Sequence, residues 1–330
     1  MNAQYKIEKI NPGEISDIAR LHAVCFNGRD NVDFFKWKYF ENPAGDAFCL
    51  AVKDSGNIVG SCVMIPEEFY VFGERKKIYK CCDLMIHPKY RRQGLSTRLA
   101  FSLNECLKKE GPLFLYTLCG KNATPTFLKN KWTKFCDVDI YFKHRKQLSV
   151  KFFFEKIKRL FNNNTLRHIS SVSGLCKDYR FSSDDAKIRI AKDERYLGWR
   201  LRDPRYTYKI IGYYDNDVLK GYISYNAGIN DVLYIVDLDS GGGDAKIIEA
   251  LVSAAELDAH KSGHRLVIAL AFKDSIFQKT IKRNNYLRNP FGRGPLKSTM
   301  DFNILVEETH DKKIFNKSNW DVYSINYDDI

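Results

Sequence analysis

The stretch IHPKYRRQGLS, residues 86–96, decides the fold of this chain of 330 residues. An apolar strand pattern ends at Ile86, and an amphipathic helix pattern begins directly after Gly94. The first turn of a helix has unpaired backbone N–H groups and the positive end of the helix dipole, so it binds anions. Gly94 lets the backbone approach a phosphate closely, and two arginines add positive charge. The stretch therefore predicts a pyrophosphate-binding turn.

Periodic patterns on both sides of this turn predict alternating strands and helices. The pattern is a strand, a helix, two hairpins, a helix, a strand, a helix and a strand, which indicates a mixed α/β fold with helices on the faces of a sheet. Strands are predicted at residues 3–10, 47–53, 57–65, 68–74, 76–86, 112–119 and 135–144, and helices at 15–25, 93–110 and 123–131.

The same order of elements recurs in the second half of the chain. Trp37 lies 23 positions before Gly60, and Trp199 lies 22 positions before Gly221, each pair leading into a hairpin. Each hairpin is followed by a strand with an Asp-Leu pair, a long helix and an apolar strand. Agreement over five successive elements predicts two copies of one fold. The copies are predicted at 1–147 and 188–306, joined by a basic helical connector at 148–187 and followed by a tail at 307–330.

Composition limits the classes of partner and the compartment. Lys and Arg outnumber Asp and Glu by 53 to 40, and this surplus favours an anionic partner. Charge alone fits nucleic acid, an anionic membrane surface, a nucleotide-linked substrate or coenzyme A. The nine cysteines show no C-x-x-C spacing, so no metal site is predicted. The first residues lack a signal-peptide core, and no apolar run is long enough to span a membrane, which predicts a cytoplasmic protein.

The lead-in His87-Pro88-Lys89-Tyr90, the arginines and Gly94 resemble the GNAT acyltransferases. The signature of that superfamily is Arg/Gln-x-x-Gly-x-Gly/Ala after a strand ending in Val-x-Pro-x-Tyr. Ser96 stands where Gly or Ala is usual, and it is still small. The resemblance implies two tandem GNAT-like domains, each a mixed, largely antiparallel sheet flanked by helices. It also implies an N-acyltransferase that uses acetyl-CoA or another acyl-CoA as co-substrate.

The resemblance also implies which residues hold the coenzyme. In GNAT enzymes the strand before the turn separates from the next strand of the sheet, and the pantetheine arm lies in that gap. Met85 and Ile86 are expected to hold pantetheine, and Asn122, after the following strand, is expected to face the coenzyme. The residues expected to hold the pyrophosphate are Arg91, Arg92, Gln93, Gly94, Leu95, Ser96 and Thr97.

Acyl transfer to an amine requires a general base, and Asp83 is the first candidate. It lies in an otherwise apolar strand, where a partly desolvated carboxylate accepts a proton more readily. Strand alternation predicts that Asp83 shares a face with Cys81 and Met85. Glu67, with its neighbour Glu68, is the second candidate, and the loop residue His87 is the third.

The leaving thiolate requires an acid. Many GNAT enzymes use a tyrosine in the helix after the asparagine, but Leu128 occupies that position here. Tyr116, on the preceding strand, is the remaining candidate.

The second copy has a different turn at the equivalent position. After Asp237-Leu238 it continues with Asp239-Ser240-Gly241-Gly242-Gly243-Asp244, which has no arginine and has acids that would repel a pyrophosphate. The second copy is therefore expected to be degenerate and to build the acceptor side. In that role Asp237 and Asp239 would face an amine-bearing substrate. Phosphate binding by the glycine-rich turn is the alternative.

A narrower resemblance concerns the acceptor. The two Trp segments, Trp320 and the Asp328-Asp329 pair are similar to features of GNAT-like proteins from bacterial surface-polysaccharide gene clusters. This implies a small-molecule amine acceptor, an amino sugar on a nucleotide or lipid carrier, and no nucleic-acid partner. The alternatives are a tRNA-dependent aminoacyl transferase resembling peptidoglycan bridge enzymes, and a non-catalytic acyl-CoA-binding protein.

The basic amphipathic stretch at 151–161 has two interpretations. It either contacts an anionic membrane surface, which would make the protein peripheral at the inner membrane face, or packs its Phe face on its own protein.

Overall fold

The computed structural model has the mixed α/β architecture that the sequence predicts. It describes residues 5–26, 31–148, 157–161, 163, 165–181, 187–228, 231–289, 300–306 and 312–321. Residues 151–156 of the basic stretch and the Asp328-Asp329 pair lie outside the described residues. The membrane contact therefore stays a prediction. No described helix is both long enough and apolar enough to cross a membrane.

Strands and helices alternate along both halves of the described chain. The strands are β1 Lys6–Lys9, β2 Phe48–Asp54, β3 Asn57–Val71, β4 Glu74–Ile86, β5 Phe114–Gly120, β6 Thr133–His144, β7 Leu166–Ile169, β8 Ile188–Ile190, β9 Tyr208–Asp215, β10 Val218–Ala227, β11 Val232–Asp239, β12 Leu266–Phe272, β13 Leu287–Arg288 and β14 Met300–Val306. The helices are α1 Ile15–Phe26, α2 Val32–Phe40, α3 Leu95–Leu107, α4 Thr124–Lys129, α5 Val172–Asp178, α6 Glu194–Arg200, α7 Ala245–Lys261 and α8 Ile276–Arg283.

Within the described residues, fourteen strands form a single sheet. Its order is β1-β2-β3-β4-β5-β14-β6-β12-β11-β10-β9-β7, while β13 pairs with β6 and β8 pairs with β3. The neighbours β4–β5 and β11–β12 are parallel, and the other strand pairs are antiparallel. The predicted fold class is therefore confirmed, and the sheets of the two copies are joined into one.

The two copies exchange their last strands. β14, from the second copy, lies between β5 and β6 of the first, with Met300 opposite both Gly120 and Val138. β6, from the first copy, pairs over its second half with β12 of the second, from Leu266–His144 to Phe272–Val138. Each copy therefore completes the sheet of the other. The predicted boundaries at 147 and 188 mark where the copies end in the sequence, and as domain limits they stay a prediction.

The faces of the sheet carry different layers of helices. On one face, Leu99 of α3 and Phe127 of α4 belong to one apolar cluster, and Leu251 of α7 and Phe277 of α8 belong to another. On the opposite face, a third cluster runs through both copies and includes residues of α1, α2, α5 and α6. Burial of these apolar surfaces is the main favourable term in holding the layers together.

Trp37 and Trp199 join the two copies on that opposite face. Their rings are stacked, with centroids 4.9 Å apart and planes 20° apart. Each indole N–H donates to the backbone carbonyl of the other tryptophan, at 3.0 Å in both directions. Both side chains are buried. The repeated Trp that marks the two copies in the sequence therefore forms a pseudo-symmetric contact between them.

The predicted break between residues 65 and 68 was wrong, because β3 runs unbroken through Pro66. Proline lacks an N–H and is tolerated in a strand only where no ladder bond is needed. That condition holds here, since the ladder with β2 stops at Met64 and the ladder with β8 stops at Phe69, so Pro66 has no ladder partner on this edge of β3. Asn42 Nδ2 donates to the Pro66 carbonyl at 2.7 Å.

Trp199→Ala tests the contact between the copies. We expect the free energy of unfolding to fall by about 3–5 kcal/mol, because a large buried side chain and two hydrogen bonds are lost. The measurement is urea denaturation followed by circular dichroism. Phe101→Ala is the matched control, because Phe101 is 56% exposed, and its effect should stay within about 0.5 kcal/mol. Equal effects of the two substitutions would contradict the assigned role.

Candidate active site

The turn at residues 91–97, here called the coenzyme turn, is open to solvent at the start of α3. Gly94 is the N-cap residue, with φ 74°, and no side chain of the described residues caps the helix there. Residues 91–94 are exposed, and Arg92 also has a positive φ of 63°. Arg91 is fixed by its Nε, which donates to the Ile86 carbonyl at 3.0 Å. The result is a basic turn with an uncapped helix N-terminus, as anion binding requires.

Ser96, which stands where Gly or Ala is usual, fits between two helices. Its hydroxyl lies 3.3 Å from the hydroxyl of Thr126 on α4. One residue later, the Thr97 carbonyl accepts from Asn130 Nδ2 at 3.2 Å. A small polar side chain therefore bridges α3 and α4 without separating them.

β4 and β5 separate beside this turn. Their parallel ladder consists of the pairs Tyr79–Leu115 and Lys80–Tyr116. Farther along, Met85 and Ile86 pair with β3, and they have no ladder partner on β5. We call this space the first gap. The separation expected for the pantetheine arm is therefore present, and Met85 and Ile86 lie on its β4 side.

A β-bulge at Asp83 sets the direction of the side chains in β4. Asp83 has φ 49°, and the register with β3 shifts between Ser61 and Val63. A bulge inserts one extra residue and so reverses the alternation beyond it. The prediction that Asp83 shares a face with both Cys81 and Met85 was therefore wrong. Cys81 packs in the cluster that contains α3, and Met85 packs in the cluster of the opposite face.

Asp83 lies in a buried polar group with two residues of α2. Lys38 Nζ is 2.9 Å from Asp83 Oδ2, and the side chains are 1% and 5% exposed. The Tyr39 hydroxyl donates to the same oxygen at 2.6 Å. Burial and the neighbouring Asp83 carboxylate raise the pKa of Tyr39 well above its ordinary value. Tyr39 therefore remains a neutral donor to Asp83.

A second buried polar group lies where the β4–β5 ladder ends. The Tyr116 hydroxyl donates to Glu67 Oε2, and Lys80 Nζ lies 3.3 Å from Glu67 Oε1. All three side chains are buried. Since Lys80 and Tyr116 form the last ladder pair, this group marks the closed end of the first gap.

The remaining predicted residues lie outside these two groups. Glu68 forms a surface ion pair with Arg75, and His87 Nδ1 accepts from the backbone N–H of Lys89 at 3.3 Å within its own turn. Asn122 is exposed in the turn after β5, and Leu128 is 49% exposed on α4.

Lys38, Tyr39 and Lys80 were missed by the sequence interpretation. Lys38 and Tyr39 belong to the Trp37-Lys38-Tyr39 segment that marks the repeat, but the segment was used only for its spacing. A lysine among aromatic residues was the available signal, because such a lysine is rarely buried without a carboxylate partner.

In the second copy, Asp237 does not line the cavity that Asp239 reaches, and its expected contact with a substrate stays a prediction. It is fully buried, with Lys192 Nζ 2.7 Å from its Oδ1 and the Tyr222 hydroxyl 2.5 Å from its Oδ2. Burial raises the pKa of Asp237, and Lys192 opposes this shift. Asp239 accepts from the Tyr179 hydroxyl at 2.5 Å and lies at the edge of a cavity.

The comparisons with known proteins agree with this architecture. Residues 6–120 match the family model described as an acetyltransferase (GNAT) domain. No curated protein sequence matches the chain significantly.

Several solved structures share the whole fold. A tandem GNAT protein from the clavulanic acid biosynthesis pathway has a TM-score of 0.62 at 11% identity, with 93% of this chain and 100% of that chain covered. A probable N-acyltransferase from Enterococcus faecalis has a TM-score of 0.62 at 12% identity, with coverages of 92% and 72%. The N-myristoyltransferase of Saccharomyces cerevisiae, with bound myristoyl-CoA, has a TM-score of 0.58 at 13% identity, with coverages of 93% and 80%.

At identities this low, the structural likeness establishes the fold, and the family match adds the type of domain. Residues 6–120 therefore match an acetyltransferase domain of the GNAT type, and the chain shares its fold with a tandem GNAT protein.

Proposed function

We propose that this protein transfers an acetyl group from acetyl-CoA to the amine of an amino sugar carried on a nucleotide or lipid diphosphate. The observation that carries the proposal is the position of the coenzyme turn, an uncapped helix N-terminus at the end of the strand that borders the first gap. An elongated ligand with a diphosphate and a thioester arm fits this combination of an anion site and an adjacent gap.

The residues of the first copy fit the coenzyme. The backbone N–H groups at the start of α3, with Arg91 and Arg92 beside them, would hold the pyrophosphate. The unpaired edge of β4 at Met85 and Ile86 would hold the pantetheine amides by strand-like hydrogen bonds. Asn122, exposed after β5, lies at the other side of the gap.

Acetyl-CoA supplies an acetyl group activated as a thioester. Asp83 then serves as the base that takes a proton from the attacking amine, and the bulge turns its carboxylate towards α2. Lys38 and Tyr39 orient the carboxylate through their contacts with Oδ2. At the closed end of the gap, the Tyr116 hydroxyl, which donates to Glu67 before the reaction, turns to the departing sulfur and gives it that proton.

The net charge of the chain and its resemblance to surface-polysaccharide proteins support the proposed class of acceptor. A net charge of +13 favours a substrate that carries phosphate groups over a simple amine. The resemblance to proteins of bacterial surface-polysaccharide gene clusters adds an amino sugar as the group that bears the amine.

Gly94→Asp tests the coenzyme turn. An aspartate tolerates the positive φ of this position better than most residues, so the fold should be retained, but its charge at the helix N-terminus would occupy the place of the pyrophosphate. We expect the Kd for coenzyme A, measured by calorimetry, to rise by at least about 10-fold, equivalent to about 1.4 kcal/mol.

Gly56→Asp is the matched control for that substitution. Gly56 lies in the exposed β2–β3 turn with φ 86°, close to the 74° of Gly94, and an added Cβ meets nothing within 4 Å at either position. Both variants therefore carry similar backbone strain. Unchanged coenzyme binding by Gly94→Asp, or an equal loss in both variants, would refute the assignment of the turn.

Asp83→Asn tests the base. We expect kcat, followed by release of the coenzyme A thiol, to fall by about 10²- to 10⁴-fold, while the Kd for coenzyme A stays unchanged. Asp237→Asn is the matched control, since Asp237 is also buried, paired with a lysine and bonded to a tyrosine hydroxyl. Asp237→Asn should leave kcat within about 2-fold. The substitution lies in the second copy, and a distant structural change should alter the activation free energy at Asp83 by only a few tenths of a kcal/mol. Similar losses of kcat in both variants would show that Asp83 supports the fold and does not act as the base.

The acceptor class is tested with the unmodified protein and a panel of amines. We expect acetyl-CoA-dependent thiol release with nucleotide-diphosphate amino sugars, and at least about 10-fold lower kcat/KM with the corresponding free amino sugars, because the phosphate contacts are lost. Preference for the free amino sugars would exclude the proposed acceptor.

A further inference from the structure

The side chain of Thr117 ties β4 to β5 at the closed end of the first gap. The backbone ladder between these strands stops at Lys80–Tyr116. At the next residue of each strand, the Thr117 hydroxyl donates to the Cys81 carbonyl at 2.9 Å. We call this contact the Thr117 bridge. It takes the place of a ladder bond at the point where the two strands begin to separate.

Neighbouring residues hold the Thr117 bridge in place. Thr117 is buried, and its backbone pairs with Asn303 of β14 on the far side of β5. The preceding residue, Tyr116, packs its ring against Phe69 and Phe302, with ring centroids 5.7 and 5.5 Å apart. Threonine is branched at Cβ and has few side-chain conformations. The closed end of the first gap therefore has a fixed wall.

Thr117 lies on the face of the sheet from which the coenzyme would enter. Successive side chains of a strand point to opposite faces. Leu115 and Cys119 lie two positions before and after Thr117, and both pack with the apolar cluster that contains residues of α3. Tyr116 packs in the cluster of the opposite face. Since the coenzyme turn is at the start of α3, a pantetheine arm that runs from the turn along the gap ends against the Thr117 bridge.

The space between the reacting centre and the Thr117 bridge is short. With Asp83 as the base, the thioester carbonyl lies at the level of Asp83, and Cys81 is two residues away along β4. That is at most roughly 7 Å, at about 3.3 Å per residue. Carbon atoms in contact stay about 3.5–4.0 Å apart, which leaves roughly 3 Å beyond the thioester carbonyl. A C–C bond is about 1.5 Å long, so a methyl group fits in this space and the three further carbons of a butyryl chain do not.

The Thr117 side chain acts here through its volume. Its hydroxyl hydrogen is directed at the Cys81 carbonyl, so the side chain gives no proton to the co-substrate. A change at Thr117 should therefore alter which acyl group fits, while the residues of the coenzyme turn stay as they are.

We infer that Thr117 restricts the co-substrate to acetyl-CoA by closing the first gap to longer acyl groups. One methylene more or less in a fitted apolar site changes selection by about 10- to 200-fold. The wall at Thr117 provides such a fit, because it cannot move aside without breaking the pairing of β5 with β14. The inference rests on the proposed function for the binding of an acyl-CoA in the first gap.

The experiment is calorimetric titration of the full chain with acetyl-CoA, propionyl-CoA and butyryl-CoA, which requires no acceptor. For the unmodified protein, we expect the Kd for butyryl-CoA to exceed the Kd for acetyl-CoA by at least about 10-fold. Thr117→Ala should bring the two Kd values within about 2-fold of each other, because the space that alanine leaves accepts the additional methylene groups. The Kd for coenzyme A itself should not change.

Two control variants separate volume from other effects. Thr117→Val loses the same hydroxyl bond as Thr117→Ala but keeps the volume of threonine, so it should keep the Kd ratio of the unmodified protein. Thr280→Ala removes a matched threonine from the second copy. Thr280 is also buried, and its hydroxyl donates to the Ile276 carbonyl at 2.9 Å. Thr280→Ala should keep the ratio as well.

The outcomes distinguish this inference from the proposed function. Equal Kd values for the three thioesters, with coenzyme A bound normally, would overturn the inference and leave the proposed function standing. A ratio that falls equally in Thr117→Val and Thr117→Ala would assign the effect to the hydrogen bond and would also overturn the inference. If the unmodified protein binds no coenzyme A, the proposed function fails and the inference fails with it.

Thr117→Ser replaces Thr117→Ala if the alanine variant does not fold. Serine keeps the hydroxyl that bonds to the Cys81 carbonyl and removes one methyl group. We expect the ratio of the Kd for butyryl-CoA to that for acetyl-CoA to fall by about 10-fold, the lower end of the range for one methylene. An unchanged ratio in Thr117→Ser would overturn the inference.

Discussion

The exchange of the last strands is the constraint on which the rest of this structure depends. β14 is held between β5 and β6 by seven residue pairs on one side and five on the other. Its buried Asp301 accepts from the Thr124 hydroxyl of α4 at 2.6 Å and lies 2.9 Å from Lys134 Nζ of β6. Buried polar contacts of this kind fix the register of a strand, because a slip would leave them unsatisfied. The second copy is thereby locked into the sheet of the first.

The exchange also determines which edges of the sheet are free to bind a ligand. β5 is paired with β14 along its whole length, so it cannot move towards β4 and close the first gap. β12 is held in the same way by β6, and this keeps open the equivalent space, here called the second gap, between β11 and β12 beyond the pair Ile235–Ala269. Each gap is therefore bounded on one side by a strand that the other copy holds in place. Phe302 of β14 packs against Tyr116, Phe135, Phe272 and Trp320, which extends this support from one gap to the other.

The sequence was sufficient for the elements and for the coenzyme turn, because both depend on local patterns. Gly94 and its arginines predict an anion site without knowledge of any distant contact, and the Trp spacing predicts the repeat. The strand exchange could not be predicted, since β6 and β14 are equivalent strands and either can complete either sheet by pattern alone. The bulge at Asp83 could not be predicted either. Strand faces are assigned from the alternation of side chains with a period of two, and an inserted residue does not change the composition of the strand. For the same reason the partners Lys38 and Tyr39, which reach Asp83 from 44 or more positions away, were not foreseen.

The two copies differ at the N-cap residue of the helix that follows the turn, and this difference separates their capacity to bind an anion there. Gly94 leaves the N–H groups of α3 unpaired, whereas Asp244 satisfies those of α7 with its own carboxylate. A helix N-terminus that caps itself has no remaining preference for an external pyrophosphate, even when a gap lies beside it. β8 links the two copies in space, since it pairs with β3 of the first copy and its Arg189 lines the same cavity as Phe272 of β12. In this way the two halves of a single sheet keep the same strand arrangement but differ at the helix N-terminus where an anion would bind.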